Sequence, residues 1–191
     1  MTRRKDIKGR LQLTLISLVF FGPLILAAWL YFSGSGLTPE GRTNHGALLE
    51  PIVNVRDALP DSSTIELGDG RWLLVHVNEG ACGEECKFAL YTLRQSRLML
   101  GKEMDRLGRV FLHGDTAPDT VFLADQHAGL ISISDSSLSG LLQNKKPTEL
   151  AAGGFYLIDP LGNLVMYFHP GIDPSDMVED IKRLLKHSRI G

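Results

Sequence analysis

The sequence lacks most of the signatures that mark familiar catalytic and binding classes. It contains no phosphate-binding glycine loop and no carboxylate pair set up for shared acid–base work. The serines from Ser132 to Ser139 show no nucleophile-elbow pattern. Internal repeats and low-complexity tracts are absent. A basic surplus is missing as well. Five of the 20 Lys and Arg lie in the first ten residues, with only one of the 22 Asp and Glu, so the remainder carries a net −6. That balance argues against nucleic-acid binding, which needs a basic patch. Cysteine is scarce too: Cys82 and Cys86 are the only two in 191 residues.

The first feature present is a long apolar run. Leu11 to Phe32 is 22 residues without a charge, enough at about 1.5 Å per residue to cross a hydrocarbon core of roughly 30 Å. Gly22-Pro23 stands inside it, a break that membrane helices tolerate. Arg3, Arg4, Lys5, Lys8 and Arg10 precede it, which by the positive-inside rule keeps the N-terminus cytoplasmic and exports the rest. The run is longer than a signal-peptide core of about 7–15 residues and no A-x-A site closes it, so an uncleaved anchor is expected rather than a cleaved leader. Trp29 and Tyr31 suit an interfacial belt. The expected organisation is a basic cytoplasmic N-terminus at 1–10, a transmembrane anchor at 11–32, a Gly/Ser/Thr/Pro-rich linker at 33–43, and one globular domain at 44–191, in an inner-membrane, single-pass, periplasm-facing protein.

Within that domain, Ile65–Leu67 and Arg71–Val77 flank Gly68-Asp69-Gly70 and read as a hairpin. Trp72 to Val77 is nearly continuous in apolar character, as in a strand buried on both faces. The cysteines follow it directly. Phe88, Leu90, Tyr91, Leu93, Leu98 and Leu100 then repeat at helical spacing up to Gly101. Arg109–Leu112 reads as a second buried strand ending at His113. Thr120–Asp125 and Ser136–Gln143 read as helical pieces around a strand at Leu130–Ile133. Phe155–Ile158 and Leu164–Phe168 form a hairpin around Asp159-Pro160-Leu161-Gly162-Asn163. Pro174 opens a closing helix to His187, with Met177, Ile181, Leu184 and Leu185 on one face.

Strands alternating with helices imply a largely parallel sheet, to which the last hairpin adds antiparallel pairing. This α/β order, with its dithiol between strand and helix, resembles a thioredoxin-like fold: a mixed central sheet flanked by helices, here behind a single N-terminal transmembrane helix. The C-x-x-x-C spacing, the Tyr-Leu-Ile-Asp-Pro-x-Gly hairpin and the N-terminal anchor resemble the Sco/SenC family of cytochrome c oxidase assembly factors, over roughly residues 67–185. The resemblance implies copper handling, or reduction of the oxidase's copper-binding cysteines, with an oxidase subunit or its assembly factors as partner. It also implies a copper site of two cysteines and one histidine, the histidine standing shortly before the hairpin strand. Here that stretch reads Glu149-Leu150-Ala151-Ala152-Gly153-Gly154 and holds none.

Two cysteines at i and i+4 on a helical turn present both sulfurs on one face, with Cα atoms about 6 Å apart, within disulfide reach. Two thiolates also favour a soft ion such as Cu(I). Cys82 at a helix start gains acidity from the dipole, whereas Glu84 and Glu85 oppose it. So short a bridge removes little unfolded-state entropy, which argues for a functional pair over a staple. Parallel pairing places His113 at the cysteine end of the sheet, and the returning hairpin strand brings His169 there; either could complete a metal site or accept a thiol proton. His76, mid-strand, reads as a satisfied core group. The function expected is thiol–disulfide exchange through Cys82 and Cys86, with copper delivery through Cys82, Cys86 and His169 or His113 beside it. A general periplasmic reductase, as in cytochrome c maturation, and an anchored scaffold with a structural disulfide are the alternatives.

Overall fold

The computed structural model describes residues 3–32, 43–116, 118–188 and 190. The expected linker falls outside them except for Thr43, as do the first two residues. The chain divides into two units, Met1–Thr43 and Asn44–Gly191.

The first unit holds helix α1, Arg3–Phe32, continuous through Pro23. Its apolar stretch, Gly9–Leu30, has a mean hydropathy of 2.3 and none of it is buried in protein. By length and composition this stretch is enough to cross a membrane.

The second unit is a six-stranded sheet. Strand β1 (Ala47–Asn54) leads through the short helix α2 (Val55–Ala58) to β2 (Trp72–Asn78). Helix α3 (Glu84–Met99) follows, then β3 (Leu107–His113), α4 (Thr120–Gln126), β4 (Leu130–Ile133) and α5 (Ser136–Lys145). The hairpin β5 (Phe155–Ile158) and β6 (Asn163–Phe168), and helix α6 (Pro174–His187), complete it. Strand order is β1-β6-β5-β2-β3-β4. Strands β2, β3 and β4 are parallel, while β5 and β6 pair antiparallel and join β2.

Side chains alternate across β2. Trp72 and Leu74 face one core layer with Leu90 and Leu93 of α3 and Met177 and Ile181 of α6. Leu73, Val75 and Val77 face the other, with Leu138 and Leu142 of α5. Both faces of β2 are covered, which is why its run is nearly continuous in apolar character, with His76 the polar residue inside it. Each fully buried Leu or Ile contributes about 1.5–3 kcal/mol relative to exposure. Helix α6 starts as expected: Asp173 caps the Ser175 amide at 2.8 Å and Pro174 occupies the first turn.

Two expectations need correction. Residues 65–67 do not form a hairpin arm with β2. Both edges of β2 are taken, by β3 and β5, and Glu66–Gly68 is instead a 3-10 turn. Ile65 buries on the second core layer. Asp69 and Gly70 adopt positive φ, 53° and 71°, and this pair redirects the chain into β2 rather than closing a two-stranded turn. Strand β1 is the second difference: it was not foreseen, because Glu50, Pro51 and Asn54 interrupt its pattern. It is an edge strand on β6 with an irregularity between Leu48 and Val53, where Pro is tolerated.

Candidate functional site

The sheet delivers Cys82 and Cys86 to the C-terminal end of β2. Helix α3 begins at Glu84 with Gly83 as its N-cap, so Cys82 lies in the loop before the helix rather than on its first turn, and only Cys86 is helical. The two are joined as a disulfide, Cα atoms 5.1 Å apart. Cys86 is 5% exposed and packs in the α3–α6 core layer, whereas Cys82 is half-buried at its margin. Access is therefore asymmetric: Cys82 is the more exposed of the two sulfur-bearing residues.

Helix α3 has 16 residues, and its N-cap, Gly83, next to Cys82, supplies no side-chain cap. Of the two carboxylates in its first turn, Glu84 pairs with Lys87 at 2.9 Å.

Beside Cys86 is a cleft of about 550 Å³ whose walls include His76, Cys86, Phe88, Gly153 and Pro170. His76 is 3% exposed. Its ring lies between Phe111 and Phe155, with centroids 6.0 and 5.7 Å away. Nδ1 is 3.2 Å from the Gly154 carbonyl oxygen. A carbonyl only accepts, so Nδ1 carries the proton and Nε2 bears the lone pair. That Nε2 is buried without a hydrogen-bond partner. Burial lowers the imidazole's pKa from its ordinary value, and the Gly154 hydrogen bond opposes this in part. His76 is thus not a fully satisfied core group; it is a neutral, half-satisfied base on the wall that Cys86 shares. Its parity with Trp72 and Leu74, on the face covered by α3, was the signal that could have found it.

Gly154 is fixed from three sides. Its carbonyl accepts from His76, its amide donates to the Tyr167 hydroxyl at 3.0 Å, and a Cβ there would stand 2.0 Å from the Phe168 carbonyl oxygen. The stretch before β5 therefore contributes backbone and glycine to the cleft, and the imidazole comes from β2.

His113 and His169 do reach this end of the sheet. His113 is opposite Asn78 in the β2–β3 register, and Phe168, next to His169, pairs with Phe155. Neither side chain turns into the cleft. The His113 Nδ1 lies 2.7 Å from the Gly114 carbonyl oxygen, and its ring borders a separate cavity with His127. His169 is exposed, and the next two residues, Pro170 and Gly171, line the cleft in its place. Among the described residues no three His, Cys, Asp or Glu side chains come together to hold a metal ion. With the sulfurs joined to each other, the donor set does not fit copper in this state.

The comparisons with known proteins agree with this architecture. The family model described as "Transmembrane-like, thioredoxin-like, C-terminal domain" matches residues 72–188, and its companion, "Transmembrane-like, N-terminal domain", matches residues 3–34. The chain belongs to this transmembrane-like, thioredoxin-like family. No curated protein matches it. Among solved structures, yeast Sco1 is 17% identical with a TM-score of 0.51, covering 78% of this chain and 98% of that one. Yeast Sco1 with copper bound is 20% identical at 0.50, covering 62% and 78%. Arabidopsis thaliana ScoI with copper bound is 16% identical at 0.51, covering 62% and 86%. The Sco likeness expected from the sequence therefore stands for the fold. The N-terminal match falls on α1, which is long and apolar enough to span a membrane.

Proposed function

We propose that the chain is a membrane-anchored thiol–disulfide exchange protein whose domain faces the periplasm. The observation that carries this reading is the pairing of a half-exposed Cys82 with a buried Cys86 beside a neutral imidazole. A staple needs no such access, and a bridge over so short a loop stabilises little.

Starting from the reduced pair, the Cys82 thiolate attacks one sulfur of a partner disulfide. A Cys82–partner S–S bond forms and the second partner sulfur leaves as a thiolate, which takes up a proton. Cys86 then loses its proton to His76 Nε2 and attacks the Cys82 sulfur; the Cys82–Cys86 bond forms as the Cys82–partner bond breaks, and the departing partner thiolate takes up the proton from the His76 imidazolium. The partner leaves as a dithiol, reduced by two electrons, and this chain is oxidised by two. His76 suits the second step because it is uncharged and within the same cleft. Phe88 and Tyr91, 61% and 46% exposed with rings 6.4 Å apart, offer an apolar rim to a polypeptide partner.

The partner class follows from the Sco resemblance: a cytochrome c oxidase subunit, or one of its assembly factors, whose cysteines must be reduced before they take up copper. The basic residues in the first turns of α1, ahead of its apolar stretch, support a cytoplasmic N-terminus. Copper delivery, with His169 or His113 as third ligand, is the rival role. The test is trapping. In cells carrying Cys86→Ser, Cys82 should hold an oxidase component as a mixed disulfide, visible without reductant and absent from the Cys82→Ser, Cys86→Ser double variant. Failure to trap any oxidase component while other proteins are trapped would move the assignment to a general reductase. No trapping at all would sink exchange.

A further inference from the structure

Toward the end of the sheet away from the cysteines, three arginines converge in an otherwise acidic domain. Arg109 is on β3, on the face covered by α3, and is 4% exposed. One of its nitrogens, Nη2, donates to the Ala128 carbonyl oxygen at 2.6 Å. Its Nε and Nη1 are buried without partners. Arg94 and Arg97 of α3 flank it. Arg94 donates through Nη1 to the Gln126 carbonyl oxygen at 2.7 Å, and its Nε is also buried and unpartnered. Arg97 donates to the Leu107 carbonyl oxygen at 2.9 Å and to Asp105 at 3.0 Å. The three line one cavity of about 180 Å³.

A buried guanidinium that leaves two donors unmade is costly, and buried charges are normally paired. Among the described residues, no carboxylate forms an ion pair with Arg94 or Arg109. Asp125 borders the cavity but is exposed and pairs with none of the three. The local field is correspondingly positive. Burial, then Arg97 and Arg94, lower the pKa of Arg109; burial, then Arg94 and Arg109, lower that of His127.

We propose that this cavity is a binding site for a small oxyanion of the phosphate class, held by the guanidinium groups of Arg94, Arg97 and Arg109 that line it. Planar guanidinium donors match phosphate oxygens in geometry and in charge. The cavity equals roughly six waters by liquid volume, room for a tetrahedral oxyanion. Arg109 and Arg94 both also hold the loop between α4 and β4, so a bound anion would tie that loop to α3.

The experiment uses the full chain in detergent micelles. Thermal unfolding is followed in inorganic phosphate and in chloride matched for pH and ionic strength, and ³¹P line broadening gives an affinity that does not depend on unfolding. Phosphate at a hundredfold excess over Kd should raise the Tm saturably by about 5 °C or more. Arg94→Gln should raise the phosphate Kd in the ³¹P measurement at least about tenfold and shrink the Tm difference between phosphate and chloride, whatever its own Tm in chloride. Arg109→Lys, which retains charge but loses the fork, should do the same where it folds. A parallel arm places the chain in phosphatidylglycerol nanodiscs without free phosphate. Stabilisation there that Arg94→Gln removes would name a lipid headgroup as the source of the same chemistry. No phosphate effect beyond chloride and none from the lipid, or an effect unchanged by Arg94→Gln, would overturn the site. The outcome is independent of Cys82 and Cys86.

Discussion

The His76 Nδ1–H donates to the Gly154 carbonyl oxygen at 3.2 Å, and that one bond decides which imidazole nitrogen is left basic beside Cys86. His76→Phe tests the consequence, because a phenyl ring fits between Phe111 and Phe155 without a polar atom to satisfy. The variant should fold and keep Cys82 alkylation near the wild-type rate. Release of the mixed disulfide by Cys86 should slow by about a hundredfold at pH 7, the low end for loss of a positioned base. Stopped-flow measurement of both steps checks this; equal slowing of both would leave His76 a packing group.

The same residue sets a pH dependence. Its folded pKa is below the ordinary imidazole value of 6.5, so the unfolded chain binds the proton more readily and stability rises with pH through that window. Stability is therefore full above about pH 6.5 and falls as pH drops below it, toward the folded pKa. His127, shifted the same way, adds to the slope. Tm measured from pH 7.5 to 5 should decline on the acid side, and His76→Phe should flatten part of that decline while His127 retains the rest. A slope unchanged by the substitution would show that His76 does not titrate as described.

Gly154→Ala follows from the cradle around that carbonyl. The added methyl would stand 2.0 Å from the Phe168 carbonyl oxygen and 2.6 Å from the Tyr167 hydroxyl, neither of which can yield without moving a buried strand. The expected cost is about 3 kcal/mol, or a Tm lowered by roughly 10 °C. Any residual fold should have a displaced His76 acceptor and thus a slower resolving step. A near-neutral effect would mean that the β5 entry is more pliable than its packing implies.

What the sequence revealed, and where it failed, can be traced to particular residues. The β5–β6 hairpin and α6 were legible because Gly162-Asn163 and Asp173-Pro174 encode turn and cap locally. Strand β4 at Leu130–Ile133 was legible as a short apolar run between turn residues. Strand β1 was hidden because an edge strand accepts Pro51, which in sequence reads as a break. The 65–67 segment misled because a strand buried on both faces and a buried 3-10 turn both look apolar, and only the occupancy of β2's two edges separates them. For the site, the dithiol and the sheet end were legible. The role of His76 was not, since whether Nε2 finds a partner depends on Gly154, 78 residues away in the chain.

Reduction potential distinguishes a working pair from a staple. Structural disulfides fall below about −300 mV, whereas exchange pairs are more oxidising. Equilibration of the full chain with glutathione and with dithiothreitol buffers should place Cys82–Cys86 above that boundary. A lower value would favour the anchored scaffold.

Copper binding separates exchange from delivery. In the reduced chain two thiolates become available, and a pair of thiolates is by itself a soft donor set for Cu(I), to which a third ligand would add. His169 is exposed and outside the cleft walls, and His113 borders another cavity. Anaerobic titration of the reduced full chain in detergent micelles against a competing Cu(I) chelator should therefore show binding that Cys82→Ser abolishes and that His169→Ala and His113→Ala leave within about twofold. A tight one-to-one site lost in His169→Ala would require that side chain to swing inward on reduction, and would make delivery the primary role. A tight site lost in His113→Ala would carry the same meaning for β3. Binding that survives both, together with a trapped partner at Cys82, would make the thiols the working groups and any copper they hold incidental to exchange.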